Sequence, residues 1–459
     1  MRAPHLRSAL FGFPLVLAAL TLAAAPAART EAPAGAPAAA RTLALVGGRL
    51  IDGYGGRPLE DSVVIVEGER IRAVGRVGEL AVPAAAEVVS TEGMSVLPGL
   101  WDMHVHLMIV GHADYDHWDR TYPPLFRSTI MPAAAKQLLL AGVTSARDLG
   151  APLEDSIAVR EAIRRGEIPG PTLYVSGPFI QHRPYPGTEA FRWGVEGAAD
   201  ARAKVRRLAA AGVDQVKLID QDQMTMEEVQ AVVDEAHKHG LPVVAHSHRA
   251  EEIRRGIKAG VDCFEHTGLG TAPEYPPDVF DLMKGRANTL YWTPTIGPLL
   301  LYDYTRDGFR ERIDDPRWQV GLPREVVDDI RRSLAPVDQL AYFQFVGKRR
   351  PTLARKFEQL RQSGIVLMIG TDSGVPLNFH SDSTWREIDT WVRVFGVEPM
   401  EAIRAATFWP AVHMKVDKEV GTIAAGKYAD LIAVRGDVLR HVDLLQDVDL
   451  VIKHGVRYK

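Results

Sequence analysis

A single cysteine, Cys263, in 459 residues excludes an intramolecular disulfide and any Cys-type zinc site. It sits in the apolar run GVDCFEH, where a thiol serves as a small buried side chain. An excess of basic charge is also missing. The formal net charge is −4 and no basic stripe runs along the chain, so nucleic acid is not an expected partner. No GxGxxG turn is present, which counts against a dinucleotide-type open sheet. Apolar runs of membrane-spanning length are lacking too. The N-terminal run, residues 10–24, is short for a span, follows Arg2 and Arg7, and leads into Ala25-Pro26-Ala27. That is the pattern of a secretory signal peptide over residues 1–27, with an uncleaved anchor as the alternative. No cysteine follows the run, so lipid attachment at a mature N-terminal cysteine is excluded. The expected location is therefore secreted, in the periplasm, with no stable membrane insertion after cleavage.

What is present is ordinary for a soluble globular chain: 46% hydrophobic and 24% charged residues, long enough for one large domain and a smaller one. Residues 28–41 are rich in Ala and Pro and read as a linker. From Thr42, TLALVGGRLIDG, SVVIVEGERIRAVG and AEVVSTEGMSVLPG alternate apolar and polar residues between Gly-rich turns, as antiparallel strands do. After residue 106 strands and helices alternate. Counting LPGLWDMHVH as the first, eight strands precede GTDSG, and a longer charged helical insertion spans roughly residues 303–363. Eightfold alternation over this length predicts a (β/α)8 barrel over residues 98–420. Strand character returns in GTIAAGKYADLIAVRG and VDLVIKHGVRYK, so residues 42–97 and 421–459 are expected to form one small sheet domain from both chain ends.

Chemistry-bearing residues fall at the C-terminal ends of the barrel strands, where barrel enzymes keep their active sites. In LPGLWDMHVHL, His104 and His106 are two apart, so a strand presents both imidazoles on one face. Lys217 ends the fourth strand, His246 the fifth, His266 the sixth and Asp372 the eighth. Each alone has a plain structural reading: a lysine reaching for solvent, core histidines, an aspartate in a turn. Six such residues at equivalent positions point to a metal site.

The LPGLWDMHVH start, the lysine in VDQVKLI, the histidines of VVAHSH and FEHTG, and the aspartate of GTDSG resemble the amidohydrolase superfamily. The segment AIRAATFWPAVHM followed by GTIAAGKYADLIAV is similar to that superfamily's tail. The likeness covers residues 42–459 and is nearest the imidazolonepropionase-like group, which includes metal-dependent dipeptidases of the prolidase kind. The resemblance implies a distorted (β/α)8 barrel with a β-sandwich made from both chain ends. It implies two divalent ions, zinc foremost. His104, His106 and Asp372 would hold one, His246 and His266 the other, and a carboxylated Lys217 would bridge them. It further implies activation of a water for attack on the amide of an Xaa-Pro or Xaa-Arg type dipeptide or related compound, with Asp372 moving the proton. Cyclic amides, esters and phosphotriesters suit the same site, and a catalytically silent metal-binding protein is the reading from another class.

His248 follows His246 by two residues and should also face the barrel mouth, in a catalytic or substrate-facing role. The loop GPFIQHRPYPG offers His182, Arg183 and Tyr185; Arg183 could grip a substrate carboxylate, since guanidinium matches carboxylate in a bidentate fork. Tyr291 in the seventh strand and His380 after the eighth are further candidates to line the pocket. Expected partners are a small-molecule or dipeptide substrate and, as an option, further copies of the chain.

Overall fold

The computed structural model describes residues 41–267, 270–297, 310–336, 339–340, 344 and 346–459. The expected signal peptide and nearly all of the linker lie outside the described residues, as does part of the insertion between 303 and 363. Five strands open the described chain: β1 (Thr42–Leu50), β2 (Leu59–Glu67), β3 (Arg70–Arg76), β4 (Glu87–Ser90) and β5 (Met94–Pro98). Barrel strands follow: β6 (Leu100–Val105), β7 (Val143–Asp148), β8 (Thr172–Val175), β9 (Phe179–Gln181), β10 (Arg192–Gly194), β11 (Val216–Leu218), β12 (Val243–His246), β13 (Cys263–Glu265), β14 (Tyr291–Thr293) and β15 (Val366–Leu367). The chain closes with β16 (Leu431–Arg435), β17 (Leu450–Lys453) and β18 (Val456–Arg457).

The third barrel strand is the distorted one. The sequence suggests one strand over TLYVSGPFI, but Ser176-Gly177-Pro178 divides it into β8 and β9, because proline has no N–H for a ladder. β8 pairs in parallel with β7, and β9 in parallel with β11. Asp214 bridges the break: its N–H donates to Val175 O at 2.9 Å and its carboxylate accepts from Val175 N at 2.8 Å. β10, absent from the sequence reading, adds in parallel outside β9. From β11 to β15 neighbouring strands are parallel in chain order. The ring shuts where the segment after β15 meets β6, with Met103 N donating to Ile369 O at 3.0 Å and Asp372 N to His104 O at 2.7 Å. β6 and β7 are buried along their whole length, as expected of strands covered on both faces.

Helical periodicity supplies the outer layer. In the helix Met226–Lys238, Val229, Val232, Val233 and Ala236 form one buried stripe. Thr225 and Glu228 close a capping box at its start, satisfying N–H groups that a helix N-terminus leaves free. Trp101, Met103, Leu149, Val244, Cys263 and Met368 pack together as an apolar plug inside the strands, and Cys263 is free and buried as the sequence suggests.

The chain ends meet in one eight-stranded sheet, ordered β18-β17-β16-β5-β1-β2-β3 with β4 also on β1. It is mixed, which corrects the antiparallel expectation: β1 pairs in parallel with β4 along one half and with β5 along the other. β16 lies antiparallel to β5 and aligns Ile432 with Leu97. Leu43, Leu45, Val64, Val96, Leu431 and Ile452 share its core.

Candidate metal centre

β6 carries His104, and His106 follows directly after its end, their Nε2 atoms 3.2 Å apart. Asp372, from the loop after β15, places Oδ1 3.4 Å from His104 Nε2 and 3.2 Å from His106 Nε2. On the other side His246 Nδ1 faces His266 Nε2 at 2.9 Å. The two halves touch, since the rings of His104 and His266 lie 4.9 Å apart. Lys217 is fully buried, and its Nζ has no hydrogen-bond partner among the described residues. The ring of His248 sits 4.6 Å from that of His246 and 4.8 Å from that of His266. The six residues chosen from strand ends are thus brought to one place, with His248 against them.

Orientation is set from behind. His104 Nδ1–H donates to Glu265 Oε2 at 2.8 Å, which leaves its Nε2 with a lone pair for an ion, and His266 Nδ1 is hydrogen-bonded to Thr295 Oγ1 at 2.7 Å. Glu265 is itself held by Arg147, whose Nε donates to Met103 O at 2.7 Å; the whole Arg147–Glu265 pair is buried. Asp102 ties the first strand to the last, accepting from His104 N at 3.1 Å, Thr371 N at 3.0 Å and Thr371 Oγ1 at 2.7 Å. His266 and Asp372 both have positive φ, 73° and 58°, a cost that non-glycine residues carry at sites where the surroundings fix them.

Charge states suit cation binding. Burial drives the His104, His246 and His266 imidazoles well below their ordinary value, and takes His248 down to about 4, so all are neutral donors. Burial lowers the Lys217 amine to about 8, against the pull of Glu265. Burial alone would raise Asp372, but its close contact with the His106 ring favours the carboxylate, and its carboxyl stays below the ordinary value. Neutral imidazoles, a carboxylate and an unpartnered buried amine fit a divalent ion far better than an apolar ligand.

A model of the amidohydrolase family matches residues 95–457. The chain belongs to the amidohydrolase family. Among characterised relatives of this amidohydrolase is the ochratoxinase of Aspergillus niger, 24% identical over 92% of this chain and 87% of its own. A Xaa-Pro dipeptidase solved with methionine in its active site superposes with a TM-score of 0.70 at 26% identity, over 91% of this chain and all of the other. Phenylurea hydrolase B shares the fold, with a TM-score of 0.73 at 21% identity over 91% of this chain and 97% of its own. The amidohydrolase is thus a hydrolase of amide-type bonds on a distorted barrel, from a family that typically depends on metal.

The other residues singled out in the sequence are more scattered. His380 is buried beside His106, with its ring facing the His106 backbone. Tyr185 is exposed and its hydroxyl reaches Asp220 at 3.4 Å. His182 and Arg183 line a cavity of about 850 Å³ with Glu189, Arg192, Asp200 and Lys204. Tyr291 is not brought to the histidines: it begins β14, and its ring packs on His413 at 4.4 Å beside the apolar plug. Glu265, Arg147 and Asp148 were not anticipated. Asp148 ends β7 with Oδ2 buried and without a partner among the described residues, and burial raises its carboxyl to about 7 against the pull of His106. Their signal was a charged residue inside an otherwise apolar strand, in CFEH and VTSARD.

Proposed function

We propose that the amidohydrolase holds two divalent ions, zinc foremost, and hydrolyses the amide bond of a dipeptide or other N-acylated amino acid. The observation that carries this reading is Lys217, a fully buried amine with no hydrogen-bond partner among the described residues, within electrostatic reach of His104, His246, His266 and Asp372. An ammonium there would be costly. Carboxylation would convert it to an anionic oxygen donor and remove the orphaned nitrogen. His104, His106 and Asp372 would then serve one ion, His246 and His266 the other, and the modified lysine both. The Xaa-Pro dipeptidase neighbour, with an amino acid in its active site, supports a small peptide as substrate.

When bound, such ions acidify a water and polarise a carbonyl oxygen. The protein's own part is positional and protonic. Glu265 and Thr295 fix the rings of His104 and His266. In the reaction, a C–O bond forms from water to the amide carbon, the C–N bond breaks, and one water proton must reach the departing nitrogen. Asp372 lies between the two halves of the centre and can take that proton on a carboxylate oxygen and release it to the amine. His248, neutral and adjacent, faces the same space.

The test is elemental analysis and turnover together. Protein loaded with zinc in bicarbonate should approach two ions per chain and cleave Xaa-Pro dipeptides; chelated protein should be inactive. Lys217→Ala should lower both readings. A firm value of one ion, unchanged by Lys217→Ala, overturns the binuclear reading. Export is proposed on Arg2, Arg7, the apolar run and Ala25-Pro26-Ala27. N-terminal sequencing of exported protein should begin near Ala28, whereas an intact Met1 on membrane-bound material would mean an anchor.

A further inference from the structure

A second group of metal-type residues shares no member with the centre. His112 lies in the loop after β6, His117 in the helix Tyr115–Thr121, and Asp329 in the helix Arg324–Leu334 of the insertion. One nitrogen from each histidine and one oxygen of Asp329 all lie within 4.8 Å of one another. His117 Nε2 is 2.8 Å and His112 Nε2 3.5 Å from the same oxygen, Oδ2. Ligands about 2.0–2.1 Å from a tetrahedral zinc ion stand roughly 3.3 Å apart, so small side-chain adjustments admit an ion here. His117 is half-exposed, which gives it that freedom and gives an ion a way in, whereas His112 is buried.

Each of the three is oriented from behind, as the ligands of an ion ordinarily are. His112 Nδ1 lies 3.0 Å from both the carbonyl oxygen and the amide nitrogen of Asp114; when it donates to the carbonyl, Nε2 turns its lone pair towards Asp329. His117 Nδ1 is 3.4 Å from Thr121 Oγ1. Asp114 Oδ1 accepts from His117 N at 2.9 Å, which fixes the two histidines relative to each other. Asp329 accepts from Tyr122 Oη on Oδ2 at 2.8 Å and from Arg332 Nη2 on Oδ1 at 2.9 Å. Without an ion, Oδ2 is faced by three groups, the two Nε2 atoms and the phenol, and its two lone pairs serve only two of them. His112 is the one left at a distance. An ion would instead take a lone pair from both imidazoles. Burial keeps His112 neutral. Burial also opposes ionisation of Asp329, but the hydrogen bonds from Tyr122, His117 and Arg332 outweigh it. The Arg332 charge is exposed and sits on the other oxygen, where solvent screens it.

We propose that His112, His117 and Asp329 bind a divalent ion of the zinc kind, separate from the metal centre, that braces the insertion helix against the loop leaving His106. The same loop and helix are already joined where Ala113 N donates to Ser333 Oγ at 3.1 Å. This site stands independently of the amide-hydrolase reading. With fewer and more exposed ligands it fills after the centre, so the two ions of the centre are those retained on desalting, and this one is counted at equilibrium.

The experiment is equilibrium dialysis of the full-length protein against micromolar free zinc, read by elemental analysis and thermal melts. His117→Gln is the main variant: its amide can still donate to Asp329 but has no ring nitrogen to offer an ion. Asp329→Asn is the second. Wild type should hold one ion more per chain than either variant, whatever the count at the centre. Zinc should also raise its thermal midpoint further, because an ion that binds only the folded chain stabilises it. The metal-free midpoint of His117→Gln should match that of wild type, which guards against a folding defect. Equal ion counts in wild type and His117→Gln overturn the site and leave only a hydrogen-bond network. A lower count with the same zinc-induced rise in midpoint overturns the brace. One ion in wild type and none in His117→Gln would support this site while sinking the two-ion centre, and two ions in both would do the reverse.

Discussion

Asp372 shows how much one carboxylate is asked to do. It faces His104 and His106 through Oδ1 and sits in a left-handed backbone conformation that a turn flanked by Gly370 and Gly374 imposes. Hydroxide attack on an amide stalls until the departing nitrogen is protonated, and general acid–base help of this kind is worth about 10²–10⁴ in rate. Asparagine keeps the size and an oxygen donor but cannot carry the proton. Asp372→Asn should therefore lower kcat on amides by at least about a hundredfold, retain part of the metal by elemental analysis, and spare activated esters, whose leaving groups need no proton. Near wild-type amide turnover with full metal would move the shuttle to His248. The metal-type residues could be found from sequence because each ends a strand, and strand ends of a barrel converge. Glu265 and Arg147 could not be placed the same way: they meet only because β7 and β13 face each other across the barrel, a contact with no trace in sequence spacing.

Between elements, the contact that matters most is β6 against the segment after β15. Gly370 makes it possible: a Cβ there would lie 2.4 Å from Thr293 Cγ2 and 2.8 Å from His104 N. Backbone cannot yield as a flexible side chain can, so Gly370→Ala should push the last strand away from the first. Overpacking of this sort costs about 1–3 kcal/mol. The thermal midpoint should fall, and zinc affinity should fall with it, since His104 moves with its own amide. A variant that lost stability but kept full zinc affinity would show that His104 is held by Glu265 alone. At this scale the order of strands and helices was legible from periodicity and turn residues. The broken third strand and β10 were not, since Ser176-Gly177-Pro178 reads equally as a strand end or as an interruption, and β10 has three residues.

Across the whole molecule, the last strands of the chain hold the first strand of the site. β16 sits between β5 and β17, Gly99 N donates to Asp430 O at 2.9 Å, and one residue later β6 begins its run to His104 and His106. The sequence reveals the return of the chain through GTIAAGKYADLIAV, but not that β1 runs parallel to β5, because pairing direction depends on where loops lead rather than on strand composition. Removal of residues 431–459 takes away no residue of the metal centre. It does uncover Val96 and Leu97 and delete Leu431, Ile432, Val434, Leu450, Val451 and Ile452, all buried. Burial of each such side chain is worth about 1.5–3 kcal/mol, and a domain's net stability is only about 5–15 kcal/mol. The loss is of the same size as the whole margin, and the bared edge of β5 is open to pairing with other chains. A chain ending at Asp430 should therefore be insoluble or unable to load zinc, measured by soluble yield, circular dichroism and elemental analysis. If it stayed soluble and bound two ions with a wild-type thermal midpoint, the barrel would fold without its terminal strands, and the continuity from β16 through β5 to β6 would have no part in building the site.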